Sequence, residues 1–237
     1  MRGCMLTYTG LAVTDFPEED FPVPRTVYRP FHLDASAGKL LDTAPTKKGE
    51  ITYPSDEFAG KACFTFTADR RIDIFGMIKV KFWTSYDTGA DADYHCIIRK
   101  LDTRGKTMRH NNIPYKDLPL NVQSDYDLLE FSVAVHNGPN AHLRASYRAT
   151  DTSRAASPGE VFHPFDKPSP VKPGTPFEME MGFWPSGMRV EAGESIRLEI
   201  SGCDAALRRF LKSKINDGNH TVYTGPHYPA VLTLPII

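Results

Sequence analysis

Short runs of strict alternation recur along the chain. Between Met77 and Ser85, Ile78, Val80 and Phe82 fall on one phase while Lys79, Lys81 and Trp83 fall on the other. That period of two gives a strand one buried and one exposed face. The stretch from Phe177 repeats the device, with Phe177, Met179, Met181 and Phe183 opposed to Glu178 and Glu180, and Ser195–Ser201 sets Ile196, Leu198 and Ile200 against Arg197 and Glu199. On this phasing Met179 and Leu198 face a core and Glu199 faces water. Turn clusters separate the runs: "DTGAD", "DTRGK", "KPGTP" and "EAGES", where Gly permits positive φ and Pro fixes its own.

Helical periodicity is confined to "DASAGKLL" (34–41) and "DAALRRFLKSKI" (204–215), the second with Asp204 placed to cap a turn carrying Leu207, Phe210 and Leu211. Many short strands, regular turns and 19 prolines predict an all-β fold, an antiparallel β-sandwich or jelly roll with long loops and one or two short helices. The polar region from Met108 to Val135 reads as a long connection with an embedded strand. The segment 148–174 reads as an extended crossover loop, the kind of element that often carries function over a sandwich.

At 237 residues the chain is long enough for one sizeable core, so a single domain is expected. A formal net charge of −1 supplies no basic field, which argues against nucleic acid and anionic membrane surfaces as partners. The first ten residues lack a basic region followed by an apolar stretch, and no run of about 18 apolar residues occurs, so a soluble, cytoplasmic protein is expected. Cys4, Cys63, Cys96 and Cys203 are far apart without zinc-type spacing and read as reduced structural thiols. The sequon at Asn219 matters only in a secreted chain.

Candidate chemistry is sparse. The nearest approach to a G-x-S-x-G nucleophile elbow is "GESIR", where Ser195 lacks the second glycine and opens a strand rather than a helix. Asp87, Asp91 and Asp93 flank a glycine and could in principle offer oxygens to Ca²⁺, but the full ligand spacing is missing and turn hydrogen bonds explain them better. His220 and His227 read as surface or loop residues without an oriented partner. No cofactor, metal site or catalytic residue is therefore expected. Trp83 and Trp184 sit on the polar phase of their strands, which marks them as candidates for a covered, interdomain surface.

Four blocks in order resemble a known family: "MIKVKFWTSYDTGADADYHCIIRKLDTRGK", "HLRASYRATD", "VKPGTPFEMEMGFWPSGMRVEAGESIRLEISGCD" and "NDGNHTVYTGPHYPAVLTLPII". They are similar to the C-terminal domain of X-Pro dipeptidyl-peptidase and cocaine-esterase-like (CocE/NonD) serine hydrolases. The stretch "FPVPRTVYRPFHLDASAGKL" with "ITYPSDEF" looks like the approach to that domain. The resemblance implies a jelly-roll, galactose-binding-like β-sandwich, with residues 1–60 leading into a sandwich over 61–237. It also implies that the Ser, Asp and His of the triad belong to a preceding α/β-hydrolase domain, expected to be absent from this chain. The function so implied is noncatalytic: packing on that domain and shaping substrate access or oligomer contacts, with a possible homo-oligomer. The alternative is a stand-alone sandwich that binds a carbohydrate or small ligand, for which only the fold analogy speaks.

Overall fold

The computed structural model describes residues 1–8, 12–111, 135–155, 157–204 and 215–237. One layer is antiparallel in the order β12 (Asn140–Arg144), β9 (Asp93–Leu101), β15 (Ser195–Ser201) and β6 (Lys61–Thr67). The other is centred on β8 (Lys79–Tyr86). It has β13 (Phe177–Gly182) on one edge; β16 (Asn219–Thr224) and, further along, β17 (Val231–Ile236) share the other. Two strands from early in the chain complete this layer: β5 (Gly49–Pro54) against β16, and β3 (Val27–Asp34) against β17.

The layers are joined through β4 (Lys39–Leu41), which pairs with β3 and makes one parallel bridge to β6, Lys39 to Thr65. Ile236 of β17 also pairs with Ile74 of β7 (Ile72–Gly76), which continues through β14 (Ser186–Val190) and β1 (Arg2–Leu6) to β2 (Ala12–Pro17). A small separate ladder pairs β10 (His110–Asn111) with β11 (Val135–His136).

The alternation read from the sequence sets the core. Phe64, Ile98, Leu198 and Ile200 from the first layer meet Val80, Phe82, Met179 and Leu232 from the second, all 0–1% exposed. Contacts across the gap fix the two layers face to face: Cys96 Sγ lies 3.6 Å from Met181 Sδ, and the Tyr94 ring stands edge-on to Phe82 and Phe177. On the outward side of β8 and β13, Lys79–Glu180 and Lys81–Glu178 form diagonal ion pairs at 2.9 and 3.3 Å, the cross-strand pairing that polar sheet faces use.

One predicted helix is a hairpin. "DASAGKLL" forms the end of β3, a turn and β4, with Leu33 opposite Leu40 and Asp34 opposite Lys39. The Asp34 carboxylate accepts from Ser36 N at 2.9 Å and Ser36 Oγ at 2.6 Å, and Gly38 takes φ +64°. This local closure competes with helix, as Asx and Gly turns do. The other expected helix, 204–215, lies beyond Asp204 outside the described residues, as does 112–134 of the long connection. Helical structure among the described residues is limited to two 3₁₀ turns, Ala145–Tyr147 and Thr152–Arg154.

The crossover loop is a strap laid over the outward side of β8 and β13. It is pinned at Gly159, where an added Cβ would stand 2.2 Å from the Met77 carbonyl oxygen and 2.6 Å from the Tyr28 ring. Only glycine allows that approach.

Candidate functional site

The two tryptophans occupy different settings. Trp83 projects outward from β8, but the Tyr228 ring lies 5.5 Å from it, and Tyr223, opposite Trp83 in the ladder, lies 5.2 Å from Tyr228. The turn after β16 thus folds over the Trp83 indole, whose Nε1 is buried without a hydrogen-bond partner. Trp184 follows the end of β13 and is 79% exposed. Because Glu178 pairs with Trp83 and Gly182 with Lys79, Trp184 lies past the far end of that ladder. At about 3.3 Å per residue the two indoles are roughly 20 Å apart along the strands, so they do not form one patch.

The strap encloses space on both sides. A cavity of about 400 Å³ is lined by Lys79, Asp151, Ser157, Glu160, Phe162 and Glu180 among others. A second, of about 350 Å³, is lined by Met77, Val161, Phe183, Trp184 and Pro185, and shares Glu160 with the first. The first is dominated by polar and charged side chains. The second is walled mainly by apolar ones and opens at Trp184.

Two buried polar centres were not legible as such in the sequence. Glu199, expected to face water, is 1% exposed on the outward side of β15. Arg197 donates to its Oε1 at 2.6 and 2.9 Å, Lys61 Nζ lies 3.2 Å and Arg99 Nε 3.6 Å from Oε2. Arg99, itself buried, also donates to the Asn137 carbonyl at 3.2 Å. Burial pushes the Glu199 carboxyl up, but Arg99, Lys61 and Arg197 together outweigh it and hold the pKa below the usual range.

His220, expected at the surface, is a core residue. Its ring stacks on Tyr94 at 4.4 Å and meets Tyr53 edge-on at 5.7 Å. Both ring nitrogens and the Tyr53 hydroxyl are buried without a hydrogen-bond partner. Burial pulls the imidazole down to about 4, against the weaker pull of Asp87 and Asp93. The signal for this was the alternation of Asn219–Thr224, in which His220 shares the inward phase with Val222. A second imidazole, His95, stacks on His142 across the β9–β12 pair at 4.2 Å; burial, and then His142, hold it down to about 4.

Neither centre has the geometry of acid–base or nucleophilic catalysis, which needs a base oriented within hydrogen-bond reach of its proton. The Ser195 hydroxyl is 2.9 Å from that of Thr67 in the strand ladder. The three aspartates each serve the local backbone or an ion pair. Asp87 accepts from Asn219 N and Nδ2, Asp91 from Ala92 N and Ser146 N, and Asp93 from Arg144. Among the described residues no three His, Cys, Asp or Glu side chains gather as a metal site, and no helix is long and apolar enough to cross a membrane.

These features describe a β-sandwich with two buried polar centres and one face crossed by a strap. The family model of the X-Pro dipeptidyl-peptidase C-terminal non-catalytic domain matches residues 8–233, and the chain belongs to that family. No curated protein sequence matches it significantly. Among solved structures it is similar over 100% of its length to 41% of a CocE/NonD family hydrolase from Staphylococcus aureus, at 22% identity and a TM-score of 0.82. An aminopeptidase from a marine sediment archaeon, Thaumarchaeota archaeon, is similar over 97% of this chain and 39% of its own, at 13% identity and a TM-score of 0.62. An α-amino acid ester hydrolase is similar over 89% and 36%, at 14% identity and a TM-score of 0.55. At these identities the likeness establishes the fold, and the chain spans about two fifths of the length of the proteins it matches.

Proposed function

We propose that this chain is the accessory sandwich of a serine hydrolase acting on an ester or amide, packed beside an α/β-hydrolase domain and shaping its substrate approach or its contacts with other copies. The observation that carries the reading is the family match over residues 8–233. The whole-chain likeness to two fifths of a CocE/NonD hydrolase supports it. In this reading the chain works as one unit, in which residues 1–60 lead in and contribute β3, β4 and β5 to the sandwich that 61–237 completes. Four free thiols suit a reducing cytoplasm.

The chain alone is expected to form no acyl-enzyme, because Ser195 is a strand hydroxyl paired with Thr67 and has no elbow to expose it. Incubation with a fluorophosphonate probe and with generic acyl esters should give neither labelling nor turnover. Stoichiometric labelling of one serine together with turnover would overturn the proposal.

A further inference from the structure

Three ring side chains meet where the residue after β1 and its neighbours reach the small ladder of β10 and β11. His110 and His136 are direct partners in that ladder. The Tyr8 ring lies 6.2 Å from the first and 5.8 Å from the second, tilted by 63° and 56°. Tyr8 is 4% and His110 9% exposed. The Tyr8 hydroxyl, His110 Nδ1 and His136 Nε2 are all buried without a hydrogen-bond partner. Three such atoms on neighbouring side chains call for a ligand, because a buried polar atom left unpaired is costly. Tyr8 is also held in place. Its φ of +63° is one that an aromatic residue keeps only where its surroundings fix it. Lys100, 1% exposed, does so: its Nζ donates to the Thr7 carbonyl at 2.7 Å, pairs with Glu194 at 2.7 Å and lies 5.9 Å from the centre of the Tyr8 ring.

We propose that Tyr8, His110 and His136 hold one divalent transition ion of the zinc class, which clips the residues after β1 to the ladder. The inference is independent of the accessory-domain reading. The spacing fits: with metal–ligand bonds of about 2.0–2.1 Å and tetrahedral angles, an imidazole and a phenol on one ion stand about 6 Å apart, ring centre to ring centre. Facing strand partners, with Cβ atoms about 4.5–5.5 Å apart, bring two imidazoles within reach of the same ion. Two imidazole nitrogens and an anionic oxygen suit zinc and leave a fourth position for water. Burial lowers the pKa of both histidines, and His110 adds to the effect on His136, so each has a lone pair to give at neutral pH. Burial pushes the Tyr8 phenol up, against a weaker pull from Arg99. Its proton leaves for solvent as the bond from oxygen to metal forms. The nearby cations do not bar the ion, since Lys100 is matched by Glu194 at 2.7 Å and Arg99 by Glu199 at 3.6 Å. A ladder of two residues a side, marginal by itself, gains most from such a clip. Because the third donor is a tyrosine, no spacing of His, Cys, Asp or Glu in the sequence signalled it.

The test uses the whole chain, without an affinity tag and freed of metal by a chelator. Zinc should bind at a single equivalent and raise the thermal midpoint. Cobalt at a single equivalent should give the intense visible bands of a tetrahedral site together with an ultraviolet tyrosinate band. Both spectra are read in the parent, so they do not depend on how any variant folds. His136→Gln should weaken zinc at least about tenfold and abolish the rise, and Tyr8→Phe should lose the tyrosinate band. His142→Gln, which removes the exposed imidazole stacked on His95, should change none of these readings. No uptake at a single equivalent overturns the site. So does uptake without a tyrosinate band, uptake that survives His136→Gln, or uptake lost in His142→Gln.

Discussion

Glu199 and Leu198 are neighbours on one strand with opposite environments and comparable weight. Leu198 is wholly buried between the layers, so Leu198→Ala should cost about 2–5 kcal/mol. Glu199 balances Arg99, Lys61 and Arg197, and its removal takes the carboxylate out of a largely buried cluster of three cations. Glu199→Ala should therefore cost about 3 kcal/mol, against the near-neutral effect of an exposed strand residue; urea midpoints of the two variants check this. His220 adds a pH dependence. Its folded pKa of about 4 lies below the usual 6.5, so the unfolded chain binds the proton more readily. Its stabilising neutrality is complete above pH 6.5 and is lost as pH falls towards 4, by about 3 kcal/mol in all. His95 titrates in the same window. Stability measured from pH 7 to pH 4 should fall steeply in the parent and less steeply in His220→Phe. An unchanged slope would place the protonation elsewhere.

Strands were legible where alternation was complete: Met77–Ser85 and Phe177–Phe183 lie as their phase requires. Burial of an outward side chain was not, because it depends on what crosses above. Asn137, which holds Arg99 beside Glu199, is 62 positions away from Glu199 in sequence. "DASAGKLL" misled because its apolar spacing fits a helix, while Asp34 and Gly38 supply a turn whose chemistry wins locally. The tryptophans show the same limit. Their phase marked both, but Tyr228 covers one and leaves the other open. The strap was recognised as a loop, and its anchorage rests on one residue. Gly159→Ala would drive Cβ into the Met77 carbonyl and the Tyr28 ring. The strap should lift, seen as faster backbone hydrogen exchange at Asp151, whose N–H donates to the Phe162 carbonyl, while the core strands keep their protection.

At the scale of the molecule, β17 is the strand on which the parts depend. It pairs with β3, β8 and β7, linking the second layer to the sheet that ends in β2. Deleting residues 231–237 should abolish the cooperative thermal transition and not merely lower its midpoint; retention of a sharp transition would show that the remaining strands close by themselves. The pairing of β16 with β5 and of β17 with β3 spans most of the chain, and such distant partners are slow to find each other. During synthesis β3 and β5 leave the ribosome early; β5 waits for about 165 further residues before β16 emerges, and β3 for nearly two hundred before β17 does. The sandwich thus cannot close until β17 has cleared the exit tunnel, and until then its early strands are open to whatever folded domain or chaperone stands beside them.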